Sequence, residues 1–294
     1  MAINVGTAPD SWGVWFPNHE KQTPWKRCMD EMMESNYQGV ELGPWGYFPN
    51  TAVTLKPELE SRGLELVAGT CGGNFLSTES VNKMKNTIDD MSDLLKNFKS
   101  AKYIVMLPDM YTNLETGEIA MNPVLDEEER KTYASNVQKV ADYIVEKGYV
   151  ACFHPHVDCH VQTEEEIEQL LKDTNENVQL CFDTGHHVYG GGEPISFYKR
   201  NSSRIPYIHI KDCDMTVKAK MDEEKWSFAK AVTENIMVEP GKGSIDFNDF
   251  KKALDDSNYE GWVVVEQDLF PVKAFDIPLQ IAKRTRKFLT DVGF

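Results

Sequence analysis

No stretch of this 294-residue chain approaches the roughly 18 consecutive apolar residues of a membrane span, and neither a membrane span nor a membrane partner is expected. Positive charge is in short supply. The chain has 31 Lys and Arg against 47 Asp and Glu, a net charge of −16. Such a surface repels phosphates, so no nucleic-acid partner is expected. Cysteine is sparse too: six residues, at 28, 71, 152, 159, 181 and 213, with no CxxC pair. That spacing argues against a zinc–thiolate site or a disulfide framework. Three of the six lie in or beside strand-like apolar runs. Buried reduced thiols in a cytoplasmic protein are the expectation. The N-terminus, MAINVGTAPDSW, lacks a basic region followed by an apolar stretch, so no signal peptide is expected. A nucleotide loop is also missing: GTCGG and YGGGE lack the strand–GxGxxG–helix setting. No low-complexity segment or interdomain linker is visible.

What is present is a regular alternation of short β-rich runs and longer helical patterns. Strands are predicted at 3–8, 39–42, 64–69, 103–107, 149–154, 178–183, 205–212 and 261–268. Helices are predicted near 24–36, 54–62, 78–98, 125–147, 163–173, 194–201, 246–257 and 275–290. In the 125–147 helix, Val137, Val140, Ala141, Ile144 and Val145 fall on one face at a helical period. Gly148 stops it. Thr163 and Glu166 form a capping-box pattern at the next helix. The strands are nearly continuous apolar runs, as in parallel sheets covered on both faces. Eight such units predict one α/β domain over 1–294, a (β/α)8 TIM barrel. A doubly wound sheet is the alternative. One long connection, 212–244, stands out as a functional loop that covers the site or makes a subunit contact in a homo-oligomer.

A barrel of this kind places its site at the C-terminal ends of the strands. Those ends are rich in polar groups. Glu41 follows the second strand, and His154 and His156 the fifth. Asp183 and His186 follow the sixth, His209 and Lys211 lie in the seventh, and Glu266 with Asp268 end the eighth. Asp183, His209 and Glu266 have the right donors for a divalent cation with mixed oxygen and nitrogen ligands. Mn²⁺, Co²⁺, Mg²⁺, Fe²⁺ and Zn²⁺ all suit such a set. His154 would complete four ligands from four successive strands. His156 and His186, just beyond ligands, suit acid–base work because histidine titrates near neutrality. His19 and His160 read as solvated loop residues, and His187 as structural.

The segments FHPH, CFDTGHH, YIHIKD and VVVEQD, in that order, resemble the xylose-isomerase-like TIM barrels of the sugar phosphate isomerase/epimerase family. LCFDTGHHVYGGGEP, RIPYIHIKDCD and EPGKGSIDFNDFKKALDDSNYEGWVVVEQD are most similar to the inosose dehydratases of that group. APDSWGVW and NYQGVELGPWGY fit the broader family. The resemblance spans nearly the whole chain. It implies a metal, Mn²⁺ or Co²⁺ first among the choices, held by His154, Asp183, His209 and Glu266. Epimerases and isomerases of the group usually carry glutamate at the position of His154. That departure favours a dehydratase over an epimerase.

The expected activity is elimination of water from a cyclic keto-polyol through a metal-stabilised enolate. His156 and His186 share the proton transfers. Lys211 either holds a substrate oxygen or forms a salt bridge with Asp212 or Glu266. Trp12, Trp15 and Trp45 either wall the substrate ring or pack in the core. Glu41 either binds substrate hydroxyls or makes a structural hydrogen bond. The rival reading is the catalytic subunit of a C-glycoside deglycosidase, acting on 3-oxo-glycosides with a small β-rich partner subunit. A ketose or inosose isomerase or epimerase comes third, and a non-catalytic sugar-binding barrel fourth.

Overall fold

A computed structural model describes residues 3–114 and 116–294. Eight parallel strands close into a barrel: β1 (Asn4–Thr7), β2 (Gly39–Glu41), β3 (Glu65–Gly73), β4 (Tyr103–Pro108), β5 (Val150–Phe153), β6 (Val178–Asp183), β7 (Tyr207–Ile210) and β10 (Trp262–Val265). Two further strands, β8 (Asp212–Cys213) and β9 (Met237–Val238), pair antiparallel outside the barrel. Around the barrel, β2 runs beside β1, and each strand through β7 beside the one before it; β10 closes the ring between β7 and β1. The predicted (β/α)8 barrel is the observed fold, and the doubly wound alternative is not.

The helices surround the barrel: α1 (Trp25–Glu34), α2 (Ala52–Glu60), α3 (Thr78–Leu95), α4 (Glu127–Glu146), α5 (Glu164–Asp173), α6 (Thr184–Tyr189), α7 (Pro194–Asn201), α8 (Met215–Glu224), α9 (Phe228–Thr233), α10 (Phe247–Asp256) and α11 (Ile277–Asp291). Among the described residues no helix is long and apolar enough to cross a membrane. The capping box of Thr163 and Glu166 forms at α5, and Gly148 takes φ +88° just beyond α4. On α4, Val137, Val140, Ala141 and Ile144 are buried as predicted. Val145 is 39% exposed, because it lies a residue past the edge of the apolar stripe.

The strand alternation divides the core in two. Outward residues such as Val263, Ile208, Phe182 and Phe153 pack under the helices. Ala8, Val105, Cys152, Cys181, Tyr207 and Val264 belong to a separate buried cluster inside the barrel. Successive strand residues point to opposite faces, so a position two beyond an inward residue also points inward. From Cys152, Cys181, Tyr207 and Val264, that step leads to His154, Asp183, His209 and Glu266. The interior packing of the barrel thus aims the four site residues at the axis. All six cysteines are free and buried.

The predicted loop at 212–244 is a structured excursion. It contains β8, α8, α9 and β9, with Asp214 and Ser227 capping the two helices. Its start is pinned by Asp212, whose carboxylate accepts from the backbone N–H groups of Cys213, Gly241, Gly243 and Ile245.

Candidate active site

The parallel register sets Asp183 beside His209, and His209 beside Val264, two residues before Glu266. His154 Nε2, Asp183 Oδ2, His209 Nδ1 and Glu266 Oε2 converge at the axis. His154 Nε2 lies 3.8 Å from both carboxylate oxygens. His209 Nδ1 lies 3.8 Å from Asp183 Oδ2 and 2.7 Å from Glu266 Oε2. The group can present one donor atom each, all within 4.8 Å of one another. Atoms that share one cation at bonds of about 2.1 Å lie about 3–4 Å apart.

Hydrogen bonding fixes which atoms are free to ligate. His154 Nδ1 bonds the Pro155 carbonyl at 2.9 Å, which leaves Nε2 as its lone-pair nitrogen. His209 Nε2 bonds Glu41 Oε2 at 3.0 Å, which leaves Nδ1. Asp183 Oδ1 caps α6 by accepting from the Gly185 and His186 N–H groups. Its Oδ2, together with Glu266 Oε2 and His209 Nδ1, is buried without a hydrogen-bond partner. They have ion-pair neighbours, Lys211 Nζ 3.4 Å from Asp183 Oδ2 and 3.3 Å from Glu266 Oε2 and His209 Nδ1 2.7 Å from Glu266 Oε2, but no hydrogen bond, and polar atoms buried that way are costly. A divalent cation would satisfy all three, so the residues fit the metal that the family resemblance implies. Cys181 is also within reach of His154 and His209. Burial pushes its thiol up to about 12, and the Asp183–Glu266 carboxylate pair is the better donor set.

Lys211 is 1% exposed and held on several sides. Its Nζ lies 2.8 Å from His186 Nε2, 2.9 Å from Asp268 Oδ2, 3.3 Å from Glu266 Oε2 and 3.4 Å from Asp183 Oδ2. Burial opposes its charge, but Asp183, Asp268 and Glu266 outweigh that and raise its pKa. The salt bridge to Glu266 expected as one alternative is present. The one to Asp212 is not, because that carboxylate is taken by backbone N–H groups. Glycine at 185 lets the Lys211 stem pass: a Cβ there would lie 2.6 Å from Lys211 Cγ.

The site opens into a cavity of about 820 Å³ whose walls include Glu41, His154, His156, His209, Glu266 and Asp268. Trp15 and Trp45 are on its wall, as expected of ring-stacking residues. Trp12 is not: it is 0% exposed in the core, where its Nε1 donates to Glu31 at 2.8 Å. Glu41 reaches the cavity, but its carboxylate is occupied by Thr70, Tyr207 and His209. It orients His209 and has no oxygen spare of protein partners, which is the structural alternative.

His156 faces the cavity, and its Nδ1 bonds the Val157 carbonyl at 2.9 Å, so Nε2 is its free nitrogen. Burial, helped by the neighbouring His154 ring and the Lys211 ammonium, pushes its pKa down to about 3. His186 stacks behind it, with ring centroids 3.9 Å apart, and is not on the cavity wall. Burial and its His156 and Lys211 neighbours also hold its pKa well below the usual value. His187 pairs with Glu164 at 3.0 Å, a structural role. His160 is not solvated. It is buried against Tyr111 and Tyr133, with Nε2 bonded to the Asn122 carbonyl at 2.8 Å. The wall residues that escaped the sequence reading include Asp10, Asp109 and Phe228. Asp10 was legible in principle, as the residue two beyond inward-facing Ala8.

A closed βα barrel whose strand ends bring together a candidate cation site points to a recognised class. The chain belongs to the xylose isomerase-like TIM barrel family, whose model matches residues 29–291. In sequence it is similar to inosose dehydratases. That of Clostridium perfringens is 33% identical, covering 98% of this chain and 97% of its own. The rhizopine catabolism protein MocC of Rhizobium meliloti is 32% identical over 96% of this chain and 86% of its own. Among solved structures, the IolI protein with a bound zinc atom aligns at TM-score 0.65 and 18% identity, covering 99% of this chain and 98% of its own. A D-allulose 3-epimerase from Methylomonas aligns at TM-score 0.70 and 15% identity over 99% and 98%. At those identities the structural matches speak to the fold.

Proposed function

We propose that the protein is a divalent-metal-dependent lyase that eliminates water from a cyclic keto-polyol, as in an inosose dehydratase. His154, Asp183, His209 and Glu266 would hold the cation, a mixed donor set that suits several divalent metals, with Mn²⁺ or Co²⁺ the first choices by family resemblance. When bound, it supplies Lewis-acid polarisation of the substrate ketone. The chain's own residues do the rest. Trp15 and Trp45 offer flat faces to the C–H side of a polyol ring. His156, neutral with Nε2 free, takes the proton from the carbon beside the ketone. His186 backs the His156 ring, and Lys211 holds His186 in place.

The observation that carries dehydration over epimerisation is the match to inosose dehydratases along essentially the full chain at 33% identity. The epimerase matches have 14–16% identity and indicate a shared fold. The test is an assay of Mn²⁺- or Co²⁺-loaded enzyme against inososes, read by product mass. A product lighter by one water is expected. Asp183→Ala and Glu266→Ala are each expected to lose both bound metal and activity; activity surviving in metal-free protein would sink the proposal. Solvent deuterium entering a product of unchanged formula would select an epimerase instead.

A second reading is favoured by the cavity itself. Its upper walls carry Phe16, Leu107, Met110, Leu114, Met121 and Phe228, and its volume of about 820 Å³ far exceeds one polyol ring. Space of that kind suits a substrate with an apolar substituent, such as the aglycone of a 3-oxo-glycoside. Release of an aglycone, with a small partner subunit copurifying, would establish that reading.

A further inference from the structure

Removing water from a keto-polyol takes two proton transfers at neighbouring carbons. One group accepts the proton beside the ketone, and another donates to the departing hydroxyl. His156 fits the first role. His186, its expected partner, is poorly placed for the second: it sits behind His156, off the cavity wall, with Nε2 bonded to Lys211.

We propose that Asp10 is the second proton-handling group, the carboxylic acid that protonates the departing hydroxyl from the wall facing His156. This rests on the dehydratase reading above. Asp10 lies in the 3-10 turn Pro9–Trp12 that follows β1. Ala8, two residues earlier, belongs to the cluster inside the barrel, and Asp10 continues that inward step onto the cavity wall. In the closed ring β1 and β5 are four places apart in either direction, and so stand diametrically opposed. Asp10 and His156 therefore approach a bound ring from opposite sides.

The other acids on the wall are committed or misplaced. Glu41 is taken by Thr70, Tyr207 and His209, and Asp268 by Lys211 and Trp15. Glu266 belongs to the ligand set. Asp109 follows β4, next to β5, on the same side as His156. The Asp10 carboxyl accepts no hydrogen bond from any described side chain or backbone N–H. A carboxyl with no protein partner, on the wall facing the base, is placed to donate a proton.

The step balances. His156 Nε2 takes the proton from the carbon beside the ketone. The C–H electron pair moves into the enolate. As it returns, the neighbouring C–O bond breaks, and its electrons leave with the hydroxyl. Asp10 supplies the proton that makes this group water. The product is an unsaturated ketone. The protein is left with His156 protonated and Asp10 ionised, and solvent exchange resets both.

The test uses Asp10→Asn in the full-length, metal-loaded enzyme with an inosose as probe. Dehydration is expected to fall by about 100-fold or more. Bound metal should match the wild type, and solvent deuterium should still enter the carbon beside the ketone. His156→Ala is expected to lose that exchange as well as dehydration. A substrate analogue with fluoride in place of the departing hydroxyl needs less help from an acid. Asp10→Asn should therefore stay within a few-fold of the wild type on it, a rescue that a merely structural defect would not give. Wild-type dehydration rates in Asp10→Asn, or equal losses on the hydroxyl and fluoro substrates, overturn the role of Asp10 alone. A wild-type enzyme that removes no water from any inosose overturns the dehydratase reading and the role of Asp10 with it.

Discussion

The site's chemistry is set by which nitrogen of each imidazole is free. His209 shows this most clearly. Glu41 accepts from Nε2 and thereby exposes Nδ1 at the ligand cluster, 2.7 Å from Glu266 Oε2. Burial works against the Glu41 charge, but its contact with His209 outweighs it and holds the carboxyl below its usual value. A carboxylate behind a ligating histidine fixes its tautomer and raises its basicity, and its loss typically costs about 10–100-fold in metal affinity. Glu41→Gln is therefore expected to bind Mn²⁺ or Co²⁺ about 10–100-fold more weakly with the fold intact, as measured by calorimetric titration. An unchanged affinity would show that Glu41 serves the substrate instead. The convergence of His154, Asp183, His209 and Glu266 at the ends of β5, β6, β7 and β10 was legible in the sequence, since polar residues ending apolar strands are conspicuous. The orientation of Glu41, the interior position of Trp12 and the burial of His160 were not. Each depends on partners far away in the chain: His209 for Glu41, Glu31 for Trp12 and Asn122 for His160.

At the level of elements, the sixteen predicted strands and helices were legible because each has one clear period. The barrel strands are unbroken apolar runs, and the helices carry apolar stripes. The excursion between β7 and α10 was not. Of its helices, α9 has six residues and α8 buries only Met221, so no apolar stripe announces it. Its strands β8 and β9 are two residues each. What holds it is polar: Asp212 gathers four backbone N–H groups from both ends of the excursion. Three of the four donors, at Gly241, Gly243 and Ile245, lie about thirty residues away. Removing the carboxylate strands several buried donors at once. Asp212→Ala is expected to lower unfolding stability by about 3 kcal/mol or more. Because Phe228 of α9 packs on Trp15 with centroids 6.3 Å apart, the same change should also weaken substrate binding. Denaturant unfolding and KM check the two halves. A wild-type midpoint would mean that water replaces the carboxylate without cost.

On the scale of the whole molecule, the barrel closes where β10 meets β1, and the chain ends in α11 packed over that closure. Glu239 ties the end of the excursion to α11. Its carboxylate receives Arg284 Nη2 at 2.6 Å and Nε at 3.0 Å, and Lys242 Nζ lies 2.9 Å away. Burial opposes the Glu239 charge, but the bonds to Arg284 and Lys242 outweigh it, and the pKa is lowered from 4.5. A carboxyl whose folded pKa is depressed stabilises the fold above its unfolded value and loses that contribution as pH falls through the folded one. The Arg284 side chain is 53% exposed, so solvent screening limits the pair to about 0.5–1 kcal/mol. Glu239→Gln should therefore melt about 1–3 °C below the wild type at neutral pH. The gap should hold down to about pH 5, shrink below pH 4.5 and close as the wild-type carboxyl takes up its proton. Thermal melts of both proteins across that range decide it. A gap that persists unchanged into acid would trace the stabilisation to packing of the Glu239 stem and not to its charge.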